Sequence, residues 1–302
     1  AQALSKSAKD VMGASKDNPN ADQKNRIYKK ALEDQYGIQV TIPPGMTNTH
    51  LDRTFDMFGS VPQGDAKQDK LKKLTYVKDG MAGSGSYNRT TFEIKMGDFG
   101  DASGEENYQV DGTVLPANSF DVTTLHEIGH AVDNKNSFMK NNGSKPGCGG
   151  WEAQDVDKVT AAYLPECKST ARPSDKVTDD MLKQVIKAAL SAGTTAKPDE
   201  IGNEDWTKIV DFLTKKCLPI RAASKPWFKS SQVVVGGKVY QEAYSNQWWS
   251  YDAGARGTTK VNSYQWRAPG EWFAEVYAIS WLKKTKPPSG VDASAAAFMW
   301  QR

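Results

Sequence analysis

Residues 123–132 read Thr-Thr-Leu-His-Glu-Ile-Gly-His-Ala-Val, and no other stretch restricts the fold of this chain as much. His126 and His130 are four positions apart, the spacing that puts two side chains on one face of a helix, one turn from each other. The flanks are uncharged on both sides, so the helix is built for burial. The chain has only three histidines, and two of them form this pair. A buried helix carrying two imidazoles and a carboxylate requires partners for those groups, because buried polar groups left unpaired are costly. A metal ion fits that requirement. Both imidazoles hold it, and Glu127, beside the first histidine, reaches a water on the ion without ligating the ion itself. The third histidine, His50, lies in a polar stretch far upstream and reads as an ordinary surface or core residue.

A catalytic zinc site needs three protein ligands and one open position. With the histidines used up, the third ligand should be a carboxylate. The segment Glu271-Trp272-Phe273-Ala274-Glu275-Val276-Tyr277-Ala278 offers two, four apart on one face of a helix that is otherwise almost wholly apolar or aromatic. Two carboxylates in such a helix need a metal, a histidine or hydrogen bonds to compensate them. Glu271 is assigned as the ligand and Glu275 as the outer partner of a ligating histidine. Asp133, three residues after His130 and on the same side of its helix, is a further candidate to orient the site. A polar contact at the helix end accounts for it equally well.

Along the chain, apolar periodicity and turn residues predict helices over 21–36 and 120–134 and strands over 39–42, 71–77 and 91–96. Thr49 is a candidate cap for a short helix through Leu51, Phe55 and Phe58. A glycine-rich loop separates the last two strands, and a polar loop over 97–107 follows. Three amphipathic stretches, 152–164, 179–190 and 203–217, form a helical insertion over 140–225, with Asp179 and Asn203 as N-caps. Val233–Tyr240 reads as a hairpin turning on Gly236-Gly237, and 269–284 as the last long helix, with proline at its start and Lys283–Lys284 in its last turn. The whole reads as one α+β domain: an N-terminal helical arm (1–36), a sheet with the histidine helix (37–139), the insertion (140–225), and the hairpin with the third-ligand helix (226–302). Seven of the nine tryptophans fall after residue 226, a cluster best read as core packing.

The balance of charge excludes some partners. With 39 basic and 36 acidic residues well mixed, the chain has no strong pull toward nucleic acid. No apolar run is long enough to span a bilayer. Residues 1–20 lack the apolar core of a signal peptide, and the chain starts at Ala1, which fits a piece of a longer protein. Three cysteines allow one bridge at most: either Cys167 pairs with Cys217, with Cys148 left over, or all three stay unpaired as small residues.

The two segments His126–Asp133 and Glu271–Glu275 resemble the catalytic domain of anthrax lethal factor and related metallopeptidase domains of bacterial toxins and secreted effectors, zincins of the gluzincin type. The resemblance is specific where it exists, but it covers only about 30 residues, over 120–133 and 264–278. It implies a zincin-like α+β fold with a helical insertion. It also implies Zn2+ on His126, His130 and Glu271, with Glu127 acting on the water and Glu275 supporting the site from behind. A tyrosine seven residues before the ligating glutamate faces the metal in that family, and Tyr264 holds that position here. The implied activity is an endopeptidase acting on a protein or peptide. The implied setting is a monomeric toxin or effector domain, secreted or delivered into a target cell, with an immunity or delivery partner. An extended substrate is expected along the strand over 91–96. The gap between the two motifs is far longer than in lethal factor, mostly through the 140–225 insertion, so the resemblance does not carry over substrate preference. Two other readings stay open: a non-catalytic, zinc-stabilised module of a larger secretion or phage-like assembly, and an amidase of cell-wall peptides using the same residues.

Overall fold

A computed structural model describes residues 21–44, 50–99, 105–110, 113–192, 196–217, 234–244, 247–258, 261–282, 291 and 293–300. Helix and strand are mixed. In chain order the main elements are α1 (Ala21–Tyr36), β1 (Gln39–Thr41), α2 (Leu51–Ser60), β2 (Lys73–Tyr76), β3 (Gly85–Asn88), β4 (Glu93–Met96), β5 (Glu105–Val110) and β6 (Thr113–Asn118). There follow α3 (Ser119–Asn136), β7 (Glu152–Gln154), α4 (Val156–Ala171), α5 (Asp179–Ala192), α6 (Asn203–Phe212), β8 (Val234–Val235), β9 (Lys238–Tyr244), β10 (Gln247–Asp252), α7 (Pro269–Leu282) and α8 (Ala293–Trp300). The chain divides into two compact units. One holds residues 1–142, 259–265 and 270–302, and the other 143–258 and 266–269.

In the first unit, α1 buries Tyr28, Leu32 and Tyr36, one residue per turn, and ends where Gly37 takes a positive φ of 68° and donates its N–H to Glu33. Its aromatic stripe meets Phe55 and Phe58 of α2. The expected cap of α2, Thr49, lies outside the described residues. The helix is preceded by His50 in a left-handed conformation, its ring 4.9 Å from that of Phe120.

The sheet of this unit has the order β1-β2-β4-β3, parallel across β1, β2 and β4 and antiparallel between β4 and β3. β3 lies inside the glycine-rich stretch expected to be a loop. Its sequence Gly-Ser-Tyr-Asn has no apolar alternation, and as an edge strand it buries little, so no hydrophobic signal marks it. The β5–β6 hairpin likewise replaces part of the polar loop expected over 97–107, and most of its residues are exposed.

α3 follows β6 directly. Asn118 caps it, its Oδ1 accepting the Phe120 N–H at 3.0 Å. From Thr124 to Asp133 every residue but His130 is buried, the burial its uncharged flanks call for. α7 is buried along Glu271–Ser280. The two helices approach closely at Gly129, where a Cβ would stand 3.0 Å from the Ala274 Cα and 3.2 Å from the Tyr277 Cβ.

The second unit contains more than the helices expected of an insertion. α4, α5 and α6 pack through Val159, Tyr163, Ile186, Leu190, Ile209 and Phe212. Val235 and Trp248 from the four-stranded sheet β7-β10-β9-β8 join the same core. The hairpin at Gly236-Gly237, both at positive φ, therefore groups with these helices rather than with α7. Glu152–Gln154, expected at the start of a helix, is instead the strand β7 paired with β10. The helix starts after Asp155, which accepts the Lys158 N–H. The other caps also shift by one residue. Thr178 Oγ1 accepts from Met181 ahead of α5, and Gly202 precedes α6, so Asp179 and Asn203 become first-turn residues. Cys167 is a buried free thiol, with burial pushing its pKa up to about 12, so the bridge to Cys217 is not made. Trp248, Trp266 and Trp272 are almost fully buried, as core packing requires. Trp227 and Lys283–Lys284 lie outside the described residues.

The contact at Gly129 yields a direct expectation. Gly129→Val forces β-branched bulk against the backbone of α7 and should lower stability by about 1–3 kcal/mol, an overpacking cost. Urea unfolding measures it, and a change below about 0.5 kcal/mol, the range of an ordinary surface substitution, contradicts the tight crossing.

Candidate metal centre

Every group proposed to carry chemistry sits in the first unit, on α3, on α7 or on the turn just before α7. α3 presents His126, Glu127 and His130, and α7 presents Glu271 and Glu275 one helical turn apart. His126 Nε2 lies 3.0 Å from Glu271 Oε2, and His130 Nε2 lies 3.2 Å from the same oxygen. The two imidazoles meet edge to face, with centroids 4.6 Å apart. The candidate ligand atoms of His126, His130 and Glu271 all fall within 4.8 Å of one another, so this buried group could hold a metal ion.

Glu275 lies on the far side of His126, its Oε1 2.9 Å from Nδ1. Its other oxygen accepts a hydrogen bond from Asn262 Nδ2 at 2.6 Å. His126 thus has a carboxylate oxygen close to each ring nitrogen; the Nε2 contact is a hydrogen bond, whereas the Nδ1 contact is close in distance without hydrogen-bond alignment. Burial by itself would lower the pKa of His126, but the charges of Glu275 and Glu271 outweigh it and hold the imidazole well above its ordinary value. The mirror effect acts on Glu271. Burial would raise it, but hydrogen bonds from His126 and His130 hold it well below the usual carboxylate range.

Glu127 has the opposite balance. Burial pushes its pKa up, and the nearby His126 and His130 only partly offset that. Its Oε2 is buried and has no hydrogen-bond partner among the described residues. An orphaned carboxylate oxygen beside three convergent ligand atoms is what a metal with its water would satisfy, so the residues fit such a group. β3 passes directly over Glu127. A Cβ at Gly85 would stand 2.7 Å from Thr123 Cγ2 and 2.9 Å from Glu127 Oε1, so any larger residue there would push on the Thr123 and Glu127 side chains. Tyr87 secures the same strand, its hydroxyl accepting from Asn134 Nδ2 of α3 at 2.9 Å.

Tyr264 lies on a single 3-10 turn, Tyr264–Trp266, before α7. Its hydroxyl donates to Glu271 Oε1 across a long 3.5 Å, and its ring centroid is 6.0 Å from that of His126. Asp133 points elsewhere. Its carboxylate pairs with Arg89 at 3.0 Å and accepts the Met139 N–H at 2.8 Å, a contact at the end of the helix rather than at the centre. Arg89 does come near by another route, since a Cβ at Gly270 would stand 2.9 Å from its Nη2 and 3.6 Å from His130 Nδ1.

One expectation is corrected here. The strand over 91–96, where an extended substrate was placed, corresponds to β4, which lies inside the sheet between β2 and β3. Among the described strands, the edge beside the centre is β3. Sequence reading also missed Asn262 and Gly85. Gly85 carried a weak signal, since glycine marks close backbone approach. Asn262 carried none, because it lies in a turn 13 residues before its partner Glu275, with no periodicity or motif linking the two. No protein-family model, curated protein or solved structure matches the chain, so the reading of the centre rests on its own geometry.

His126→Ala and Glu271→Gln should each cut metal affinity by more than the roughly 10–100-fold that changes outside the ligand set produce. Gly85→Val, which displaces Glu127 and no ligand, should leave it within that range. Metal content by mass spectrometry and competition with a chelator give both values. Equal loss in all three variants would count against this ligand assignment.

Proposed function

We propose that this protein is a zinc-dependent endopeptidase of the zincin type. The observation that carries the reading is the convergence of His126 Nε2 and His130 Nε2 on Glu271 Oε2 at 3.0 and 3.2 Å, on the helix that also bears Glu127, whose buried Oε2 has no hydrogen-bond partner among the described residues. Two imidazoles and one carboxylate are the donor set of catalytic zinc sites that keep a fourth position open. Among the described residues no fourth His, Cys, Asp or Glu joins the group, which favours an open site over a closed structural one. When bound, zinc supplies a Lewis acid that polarises a carbonyl and makes a water acidic enough to attack near neutral pH.

The chain's own residues supply the rest. Glu127 takes the proton of the attacking water and hands it to the departing amine. The Tyr264 hydroxyl, held near Glu271, donates a hydrogen bond to the oxygen on which negative charge develops. Glu275 keeps His126 oriented. The edge of β3 offers backbone groups to an extended peptide, which would lie along Gly85–Asn88 and across Glu127. As an expectation, the protein is a monomeric toxin or effector domain delivered to its target, with protein as its substrate. Among the described residues no helix is long and apolar enough to cross a membrane.

The test pairs two variants on a mixture of unfolded protein substrates. Glu127→Gln should retain one zinc per chain and lose about 10²–10⁴ in kcat, the contribution of a general base. Tyr264→Phe should lose about 10²–10³ in kcat with KM little changed, the cost of one oxyanion donor. A wild-type protein that binds zinc yet cleaves none of these substrates would count against the endopeptidase reading. Full activity in Glu127→Gln would remove its mechanism.

A further inference from the structure

The turn over 261–265 is closed by its own side chains. Asn262 Oδ1 accepts the Gln265 N–H at 3.0 Å, and Gln265 Oε1 accepts the N–H groups of Val261 at 2.7 Å and Asn262 at 3.2 Å. Gln265 is fully buried, so the turn is fixed from inside. These bonds settle which way the Asn262 amide faces. Its oxygen is committed to a backbone N–H, and its nitrogen is therefore the atom turned to Glu275 Oε2 at 2.6 Å. From there the line of contacts continues through Glu275 Oε1 to His126 Nδ1 at 2.9 Å. Tyr264 stands in the middle of the same turn.

We propose that Asn262 is a positioning residue for the metal centre, the donor that fixes Glu275 and through it the orientation of His126. The inference rests on the metal-binding reading above. A carboxylate at Nδ1 selects the tautomer with its proton there and leaves the Nε2 lone pair for the metal. Glu275 can do this only if it does not rotate, and the Asn262 amide holds its second oxygen. Asn262 touches neither ligand atoms nor the position of the ion, so its effect is indirect. One short turn thereby orders both the histidine and Tyr264.

Asn262→Asp isolates this function. Aspartate keeps an oxygen to accept the Gln265 N–H, so the turn survives, but it has no donor for Glu275 and sets a carboxylate against a carboxylate. Zinc affinity, measured by competition with a chromophoric chelator, should fall by about 10–100-fold. The visible spectrum of the cobalt-loaded protein should change with it. The double variant Asn262→Asp with Glu275→Gln reverses the polarity of the bond. The new amide donates to the new carboxylate and still offers its oxygen to His126 Nδ1–H. It should bind zinc at least about fivefold more tightly than the losses of the two single variants multiplied together, a coupling typical of residues in contact. A purely structural role predicts no such rescue. Zinc affinity of Asn262→Asp within about twofold of wild type, or a double variant that shows only the product of the single losses, overturns the proposal. A wild-type chain that takes up no zinc overturns the metal reading of the centre, and this proposal with it.

Discussion

The close approach of α3 and α7 at Gly129 is the constraint on which the centre depends. His126 and Glu271 are 145 positions apart in sequence, and only the packing of these two helices brings them together. With no side chain at Gly129, the Ala274 backbone comes within a distance at which any Cβ would be crowded. Close backbones shorten the reach required of Glu271, which is why a glutamate on one helix can face two histidines on the other at about 3 Å, the length of an ordinary hydrogen bond. Aromatic side chains flank the contact, with Phe273 packed on Phe138 and stacked on Tyr277, and the Tyr277 hydroxyl bonded to the buried Asp65.

Burying so many ionisable groups between two helices would be prohibitive if each stood alone. Here most of them lie against an opposite or hydrogen-bonding group, although His126 Nδ1 has no aligned hydrogen bond among the described residues. Asn262 holds Glu275, Glu275 faces His126, and His126 and His130 share Glu271. The opposing shifts of His126 and Glu271 express that mutual compensation. Glu127 is left out of the chain of contacts, and its isolation gives the cluster its chemical direction. A network that satisfied every oxygen would be a structural device. This one, among the described residues, leaves the buried Oε2 of Glu127 without a hydrogen bond, on the same helix as the two histidines and under the strand that carries Gly85.

The strand over the centre and the second unit show how local weakness in the sequence can hide structure. β3 is short, polar and at an edge, so its backbone pairing with β4 and its contact with α3 hold it in place, not the burial of its own side chains. The same holds for β7, three residues with no apolar face that exist as a strand because β10 offers a partner. Both lie where loop or helix was the natural local reading. Propensity in strands is largely a report on neighbours, and the neighbours are distant in sequence.

The sequence by itself determined the buried helix with His126, Glu127 and His130, the apolar helix with Glu271 and Glu275, and the α1, α5 and hairpin segments. In each the spacing of side chains or the identity of turn residues is a local property, readable within a few turns of chain. It also reduced the choice of third ligand to two carboxylates, because the histidines were exhausted. Only the tertiary structure decided which oxygen of Glu271 the two imidazoles share, that Asp133 serves Arg89 instead of the centre, that β3 and not β4 is the edge beside the centre, and that Asn262 stands behind Glu275. Those pairings join residues from 13 positions apart, for Asn262 and Glu275, to 145, for His126 and Glu271, and β3 is placed by its contact with α3 as well as by β4. They are set by which backbones can approach each other, and a linear pattern of residue types does not contain that distance information.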